Sequence, residues 1–90
     1  MHFEWDIAKS ATNLSKHGVS FDEASTVFAD HFSATVYDPD HSQEESRFLT
    51  FGMSNTGRIL AISHTDRGTA IRIISARIAT RHERKMYEED

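Results

Sequence analysis

The sequence contains no cysteine, which excludes disulfide bonds and metal sites built from thiolates. It has no apolar run near the roughly 20 residues that a membrane-spanning helix needs. Its first ten residues, MHFEWDIAKS, lack the basic and then apolar pattern of a secretory signal. These absences favour a cytoplasmic protein.

The chain is also short, with 90 residues, of which 38% are hydrophobic and 27% are charged. This length is near the lower limit for a self-sufficient core, so we expect one domain spanning residues 1–90. The hydrophobic and charged fractions are ordinary for globular proteins and argue against a disordered chain.

Basic residues are outnumbered by acidic ones, and the net charge of −4 by itself disfavours nucleic-acid binding. The charges are unevenly distributed, however. Residues 1–57 carry nine acidic and three basic side chains, whereas residues 58–85 carry two acidic and seven basic ones. Six of those seven are arginines, whose planar guanidinium suits phosphate. The sequence therefore predicts an anion-binding C-terminal half, with an acidic half that could suit a basic partner.

The N-terminal third of the chain has the signals of two helices after a short strand at residues 2–5. Asp6 suits the N-cap of the first helix and Gly18 its end. Helical spacing predicts a buried stripe of Ile7, Ala11 and Leu14, with Lys9, Asn13 and Lys16 on another face. For the second helix, Ser20 and Glu23 form a capping box, and Val19 is placed to pack against Ala24. Its predicted apolar face consists of Phe21, Ala24, Val27 and Phe28.

From about residue 33 the pattern changes to that of strands, in runs at 33–38, 46–53, 58–65 and 70–77. The polar connection at 38–45 holds the only proline, and residues 54–57 and 66–68 have the composition of tight turns. Such short connections predict an antiparallel meander. A third helix follows, with a capping box of Thr80 and Glu83 and few apolar groups.

Helices first and strands afterwards are typical of the α+β class. We expect the N-terminal short strand and two helices to pack on an antiparallel β-meander of about four strands, with a C-terminal helix. The helices should cover one face of the sheet and leave the other face free for a ligand.

Several blocks of residues, in one order along nearly the whole chain, resemble the BrnT family of toxins from type II toxin-antitoxin systems. They are Phe3-Glu4-Trp5-Asp6, Lys9, Asn13, Lys16-His17-Gly18-Val19-Ser20-Phe21, Asp38-Pro39-Asp40-His41-Ser42, Arg47, Gly52, Gly57-Arg58, His64-Thr65, Arg72-Ile73-Ile74-Ser75-Ala76-Arg77, Glu83-Arg84 and Tyr87. The resemblance implies a RelE-like fold, a bacterial or archaeal origin and a ribonuclease that inhibits translation. It also implies neutralisation by a BrnA-type ribbon-helix-helix antitoxin in a dimer of heterodimers, which binds operator DNA through the antitoxin.

RNA can be cleaved without a metal or other cofactor when the ribose 2′-OH attacks the adjacent phosphorus. The reaction needs a base, an acid and cations that stabilise charge on the phosphoryl oxygens. Our catalytic candidates are the cations Arg67, Arg72, Arg77 and Lys16, with His17 as base or acid. Glu23 and Tyr87 are the reserve choices for proton transfer.

The candidate substrate-binding residues are Arg58, Arg81, Arg84 and Tyr87. Each candidate also has a structural interpretation: Arg58 and Arg67 lie at turns, and Tyr87 could pack the last helix. In a regular strand Arg72 and Arg77 would point to opposite faces, with Arg72 grouped with Ile74 and Ala76, unless a bulge re-aims Arg77.

His41 and His64 are further proton-transfer candidates, although histidines in loops and strands are more often structural. The segment Asp38-Pro39-Asp40-His41 does not match a calcium loop, so we interpret it as a turn and expect no metal site. Two alternatives stay open. The domain could be a non-enzymatic module whose basic half binds an acidic partner or nucleic acid, or a metal-dependent phosphodiesterase.

Overall fold

The helices begin and end at the residues that the sequence marks. In the computed structural model, which describes residues 1–89, the Asp6 carboxylate accepts a hydrogen bond from the Lys9 N–H at 3.0 Å. Gly18 ends that helix with a φ of 69°, a conformation that favours glycine. Thr80 and Glu83 form the predicted reciprocal capping box. Short-range hydrogen bonding therefore fixes these boundaries.

Three α-helices and five strands follow one another along the chain. They are β1 (His2–Glu4), α1 (Ile7–His17), α2 (Phe21–Thr26), β2 (Ala34–Tyr37), β3 (Phe48–Met53), β4 (Ile59–Arg67), β5 (Ala70–Ile78) and α3 (Arg81–Glu88). Short 3-10 turns occupy Val27–Ala29 and Pro39–His41. Within residues 1–89, each helix is too short or too polar to cross a lipid bilayer.

The strands form one sheet in the order β1-β5-β4-β3-β2. Strands β2 to β5 are antiparallel neighbours, which confirms the predicted meander. Strand β1 pairs in parallel with the beginning of β5 over three residues and so extends the sheet to five strands. The α+β class is confirmed.

Helix α2 and the turn after it cover one face of the sheet, as predicted from their apolar residues. The core consists of fully buried side chains from this segment and from β4 and β5, namely Val19, Phe21, Ala24, Val27, Leu60, Ile62, Ile73 and Ala76. The partly buried rings of Phe3, Trp5 and Phe28 pack against it. We call this side of the sheet the core face.

The predicted buried stripe of α1 is wrong. Ile7 is 84% exposed and Leu14 is 51% exposed, whereas Asn13 is only 6% exposed. The Asn13 side-chain amide donates to the Ala76 carbonyl at 2.8 Å and to the Val19 carbonyl at 2.9 Å, and its oxygen accepts from the Ala76 N–H. Because β1 pairs only with the start of β5, the later part of that edge is free, and Asn13 satisfies it there.

A β-bulge in β5 decides which face its arginines reach. The pairing between β4 and β5 shifts after Ser63, so that Ser63 pairs with Ser75 while His64 pairs with Ile73. Arg72 and Arg77 pair with Thr65 and with Ala61, which share a face of β4. Both arginines therefore lie on the side of the sheet opposite the core face, here called the second face. The grouping of Arg72 with Ile74 and Ala76 is wrong, because it assumed a regular strand.

The second face is partly covered. Helix α3 contacts β3, and its Tyr87 hydroxyl donates to the Asp30 carboxylate. At the start of α3, Glu83 binds Arg77. The segment between β2 and β3 also folds over this face, since Thr65 donates a hydrogen bond to the Ser46 carbonyl at 2.9 Å. The expectation of one open face therefore holds only for the space left between these segments.

Candidate active site

A cleft of about 250 Å³ remains on the second face beside the bulge. We call it the strand cleft. Its lining residues are Asp38, His41, Arg47, Leu49, Ser63, Ile74, Ser75 and Arg77. It thus combines two arginines, an imidazole, a carboxylate and two hydroxyls in a space that suits a phosphate group with its flanking sugars.

Hydrogen bonds close the loop that forms one wall of this cleft. The Asp38 N–H donates to the Arg47 carbonyl at 2.9 Å, and the Arg47 N–H donates to the Ser42 hydroxyl at 2.9 Å. Pro39 begins the 3-10 turn in the loop, where its missing N–H leaves no donor unsatisfied. The loop therefore holds Asp38, His41 and Arg47 in fixed relative positions.

His41 and Asp38 are hydrogen-bonded to each other on this wall. The His41 Nδ1 lies 2.8 Å from Asp38 Oδ2. The Asp38 side chain is only 12% exposed, whereas His41 is 67% exposed. A largely buried carboxylate thus holds a solvent-accessible imidazole at the cleft.

Arg47 is the least neutralised cation of the cleft. Its Nε is buried with no hydrogen-bond partner among residues 1–89, and within that part of the chain it forms no ion pair. Because Arg47 lines the cleft without a carboxylate partner among residues 1–89, its terminal N–H groups can bind an anion there.

Arg77 lies across the cleft and is held by α3. Its two terminal nitrogens bind the Glu83 carboxylate at 2.7 and 3.0 Å. The hydrogen bonds from Arg77 lower the pKa of Glu83 to about 2, and the same contacts raise the pKa of Arg77. The pair fixes the orientation of the guanidinium while its remaining N–H groups stay available to a ligand.

Comparison with known proteins identifies the family of this chain. Residues 5–83 match the family model described as the ribonuclease toxin BrnT of type II toxin-antitoxin systems. The chain belongs to the BrnT family. The structural match includes the 1.1 Å crystal structure of the Brucella abortus ribonuclease toxin BrnT, at 26% sequence identity and a TM-score of 0.65. The alignment covers 90% of this chain and 99% of that one. No curated protein sequence matches the chain.

BrnT toxins are ribonucleases, and the predicted site residues differ in their position relative to the strand cleft. Arg72 is on the same face but farther along the sheet, where Arg72 Nη1 lies 3.8 Å from Glu4 Oε1. Arg67 is near the same carboxylate, at 3.9 Å, and 3.7 Å from Glu45. These long ion pairs between partly exposed side chains are weak. Both arginines are therefore free to exchange their carboxylate neighbours for a phosphate.

Lys16 and His17 line a groove of about 320 Å³ between α1 and β5. This groove and the strand cleft share Ile74 and Ser75, the residues at the bulge. The structure thus brings the end of α1 to one side of the bulge and the loop between β2 and β3, which holds His41, to the other.

The substrate-binding candidates are not brought together. Arg58 donates from Nε to the Glu23 carboxylate at 3.0 Å and from Nη2 to the Gly18 carbonyl at 3.0 Å, which ties the start of β4 to α2 and to the end of α1. Arg84 lines a separate groove beside Arg58, and Arg81 is exposed on α3. The hydrogen bond to Asp30 raises the pKa of the remaining candidate, Tyr87, to about 12.

Two of the proton-transfer candidates, Glu23 and His64, form hydrogen bonds away from the strand cleft. Hydrogen bonds from Arg58 lower the pKa of Glu23 to about 2, and Ser54 and Thr56 add further donors. His64 is 3% exposed on the core face, where its Nε2 lies 2.7 Å from the Thr50 hydroxyl. Burial lowers the pKa of His64, which favours the neutral ring.

Sequence reasoning did not select Arg47 or Asp38 as site residues, although both lie in blocks that resemble the family. One signal could have identified Arg47, because it is the only arginine in residues 1–57. Asp38 carries no such signal, since its role depends on the turn that brings it to His41. Among residues 1–89 there is no cluster of three histidine or carboxylate side chains that could hold a metal ion.

Proposed function

We propose that this chain is a metal-independent endoribonuclease that cleaves RNA in the cytoplasm and inhibits translation, with residues 1–90 as one toxin domain. The observation that carries the proposal is the placement of Arg72 and Arg77 on one face by the bulge, together with an Arg47 that has no side-chain partner among residues 1–89. Family membership supports the ribonuclease activity itself.

In this mechanism the 2′-OH attacks the adjacent phosphorus, and negative charge develops on the two non-bridging oxygens. Arg47 and Arg77 in the strand cleft bind these oxygens, because a guanidinium donates two parallel hydrogen bonds to a phosphate. Arg72 and Arg67 bind neighbouring phosphates farther along the sheet. This division of roles accounts for the spread of the cations along the second face.

Lys16 and His17 act from the opposite side of the bulge. Lys16 adds a further cation at the end of α1, and His17 transfers a proton. The groove that they line continues into the strand cleft at Ser75, so one RNA strand crossing the bulge contacts both.

The test is cleavage of a radiolabelled transcript by the purified chain, freed from any partner, with and without EDTA. We expect cleavage to persist in EDTA and to fall at least tenfold in Arg72→Ala and Arg77→Ala variants that remain folded. Lys85→Ala, which removes an exposed cation outside the site, is the matched control. Loss of cleavage in EDTA would indicate a metal-dependent phosphodiesterase, and intact RNA throughout would indicate a binding module.

The partner proposed for this toxin is a BrnA-type ribbon-helix-helix antitoxin, in a dimer of heterodimers that binds operator DNA through the antitoxin. The family's type II toxin-antitoxin assignment supports an antitoxin partner. Co-expression with the neighbouring reading frame, followed by light scattering of the purified complex, tests it. A complex of two copies of each chain is expected, and separate elution of the two proteins would contradict it.

A further inference from the structure

The strand cleft contains an imidazole whose orientation is fixed by a carboxylate. We propose that His41, held by Asp38, is the general base that removes the proton from the ribose 2′-OH. This inference rests on the ribonuclease activity proposed above and adds a residue to which that proposal gave no role.

The hydrogen bond between the two side chains decides which nitrogen of His41 is reactive. The Asp38 carboxylate can only accept a hydrogen bond, so the hydrogen resides on Nδ1, 2.8 Å away. The lone pair of the neutral ring is then on Nε2, the nitrogen that a general base uses. When Nε2 takes up a proton, the adjacent carboxylate stabilises the imidazolium that forms.

The loop places His41 beside Arg47, the cation proposed to bind the phosphate. Asp38 and Arg47 are joined by the backbone hydrogen bond at 2.9 Å, and His41 and Arg47 both line the strand cleft. A phosphate bound by Arg47 therefore lies next to His41. Catalytic groups fixed before the substrate binds lower the entropic cost of reaching the reactive geometry.

Apart from the RNA and the protein, the reaction needs only water. The 2′-OH proton moves to His41 Nε2 as the bond from the 2′-oxygen to phosphorus forms. The bond from phosphorus to the 5′-oxygen breaks, and that oxygen takes a proton from His17, which recovers one from water. The products are a 2′,3′-cyclic phosphate and a free 5′-hydroxyl, and His41 afterwards returns its proton to solvent.

Other histidines are less suited to this role. His64 is buried on the core face and its Nε2 contacts Thr50. His17 lies across the bulge and has no carboxylate within ion-pair distance among residues 1–89. In the described part of the chain, His41 therefore combines solvent access, a close carboxylate and a place in the cleft.

The experiment compares RNA cleavage by His41→Ala and Asp38→Asn with cleavage by two matched controls. Asp40→Asn changes an exposed carboxylate in the same 3-10 turn, and His82→Ala changes an exposed histidine on α3. We expect His41→Ala to lower the cleavage rate about 10²- to 10⁴-fold. Asp38→Asn should lower it at least tenfold, because an amide that donates to Nδ1 moves the ring hydrogen to Nε2. Both controls should cleave at nearly the wild-type rate.

Two further readouts separate a general base from a merely structural residue. Free imidazole in the buffer should restore part of the activity of His41→Ala, with the circular dichroism spectrum and melting temperature unchanged. A short RNA spanning the mapped cleavage site, with the 5′-oxygen of the scissile bond replaced by sulfur, supplies a leaving group that needs no acid. The His41→Ala defect should persist on it, whereas its disappearance would make His41 the acid and overturn the assignment.

The outcomes distinguish this inference from the proposed function. If the wild-type chain cleaves RNA and His41→Ala retains a rate within threefold of it, the assignment of His41 is wrong and the ribonuclease proposal stands. If the wild-type chain leaves RNA intact, the ribonuclease proposal itself fails, and the role of His41 with it.

Discussion

Arg72 and Arg77 face the same side of the sheet although five positions separate them along one strand. A regular strand would place them on opposite faces. Ile74 is the extra residue of the bulge and has no pairing partner on β4. It shifts the alternation of side chains by one position, so that Arg72 and Arg77 point to the same face. The bulge therefore places on one face two cations that a regular strand would place on opposite faces.

The first prediction concerns the salt dependence of RNA binding. Each cation that contacts a phosphate releases counterions, which gives a slope of about −0.7 in a plot of log K against log salt for single strands. We expect Arg72→Ala to make this slope shallower by about 0.7, measured by fluorescence anisotropy with a non-cleavable 2′-deoxy oligonucleotide. Lys85→Ala should leave it unchanged. Equal slopes for wild type and Arg72→Ala would exclude a phosphate contact at Arg72.

A second prediction concerns Arg47, whose buried Nε lacks a partner among residues 1–89. Arg47→Met keeps the length of the apolar stem and removes the unsatisfied donor. We expect the free energy of unfolding in urea to stay the same or rise by about 1 kcal/mol, while RNA cleavage falls at least tenfold.

Arg47→Lys serves as the control that keeps the charge but loses the planar guanidinium, and its cleavage rate should lie between those of wild type and Arg47→Met. A loss of more than about 2 kcal/mol in Arg47→Met would show instead that the arginine supports the fold.

The third prediction is a pH dependence of stability. Hydrogen bonds from Arg58 hold the pKa of Glu23 at about 2 in the folded protein, below the ordinary value of 4.5. The folded pKa of Glu23 is lower than its unfolded pKa. The contribution of the Glu23–Arg58 pair to the free energy of unfolding is therefore complete above pH 4.5 and disappears as the pH falls towards 2. Glu23→Gln should therefore cost about 1 to 2 kcal/mol at pH 7, since Arg58 is partly exposed.

The same difference in unfolding free energy should shrink to nearly zero at about pH 2, in urea titrations followed by circular dichroism. The exposed neighbour Asp22, replaced by asparagine, should change stability little at either pH. A Glu23→Gln effect that is independent of pH would contradict the proposed ion pair.

The fourth prediction tests the role of Asn13 as an anchor of α1. Asn13→Ala leaves the Ala76 N–H and two buried carbonyls without their partner, so it should lower the free energy of unfolding by about 2 to 4 kcal/mol. Ser15→Ala, at an exposed position of the same helix, should have almost no effect. Equal stability of the two variants in chemical denaturation would show that solvent replaces the lost hydrogen bonds.

The sequence predicted the parts of the fold that depend on neighbouring residues. Asp6, Gly18 and Thr80 mark helix ends because a side-chain acceptor or a left-handed backbone acts within a few positions. The short turns predicted the antiparallel meander for the same reason, since a tight connection leaves no other pairing. The family resemblance and the basic C-terminal half also came from the sequence, and the family is confirmed.

Contacts between distant segments decided the rest. Ile7 and Leu14 formed a plausible buried stripe, but a free strand edge needs hydrogen bonds, and Asn13 meets that need instead. Such a need arises only once β5 lies beside α1. The pattern of apolar residues along α1 could not show it.

The candidate site divides in the same way. Its chemistry was determined by the sequence, because arginines in a C-terminal segment of net charge +5 predict an anion site without any structure. Its geometry was decided by the tertiary structure. A one-residue bulge turned Arg72 and Arg77 to one face, and a closed loop brought His41 and Arg47 from the acidic half into one cleft with Arg77. Side-chain direction in a strand changes with every residue, so a single insertion decides which groups share a cleft.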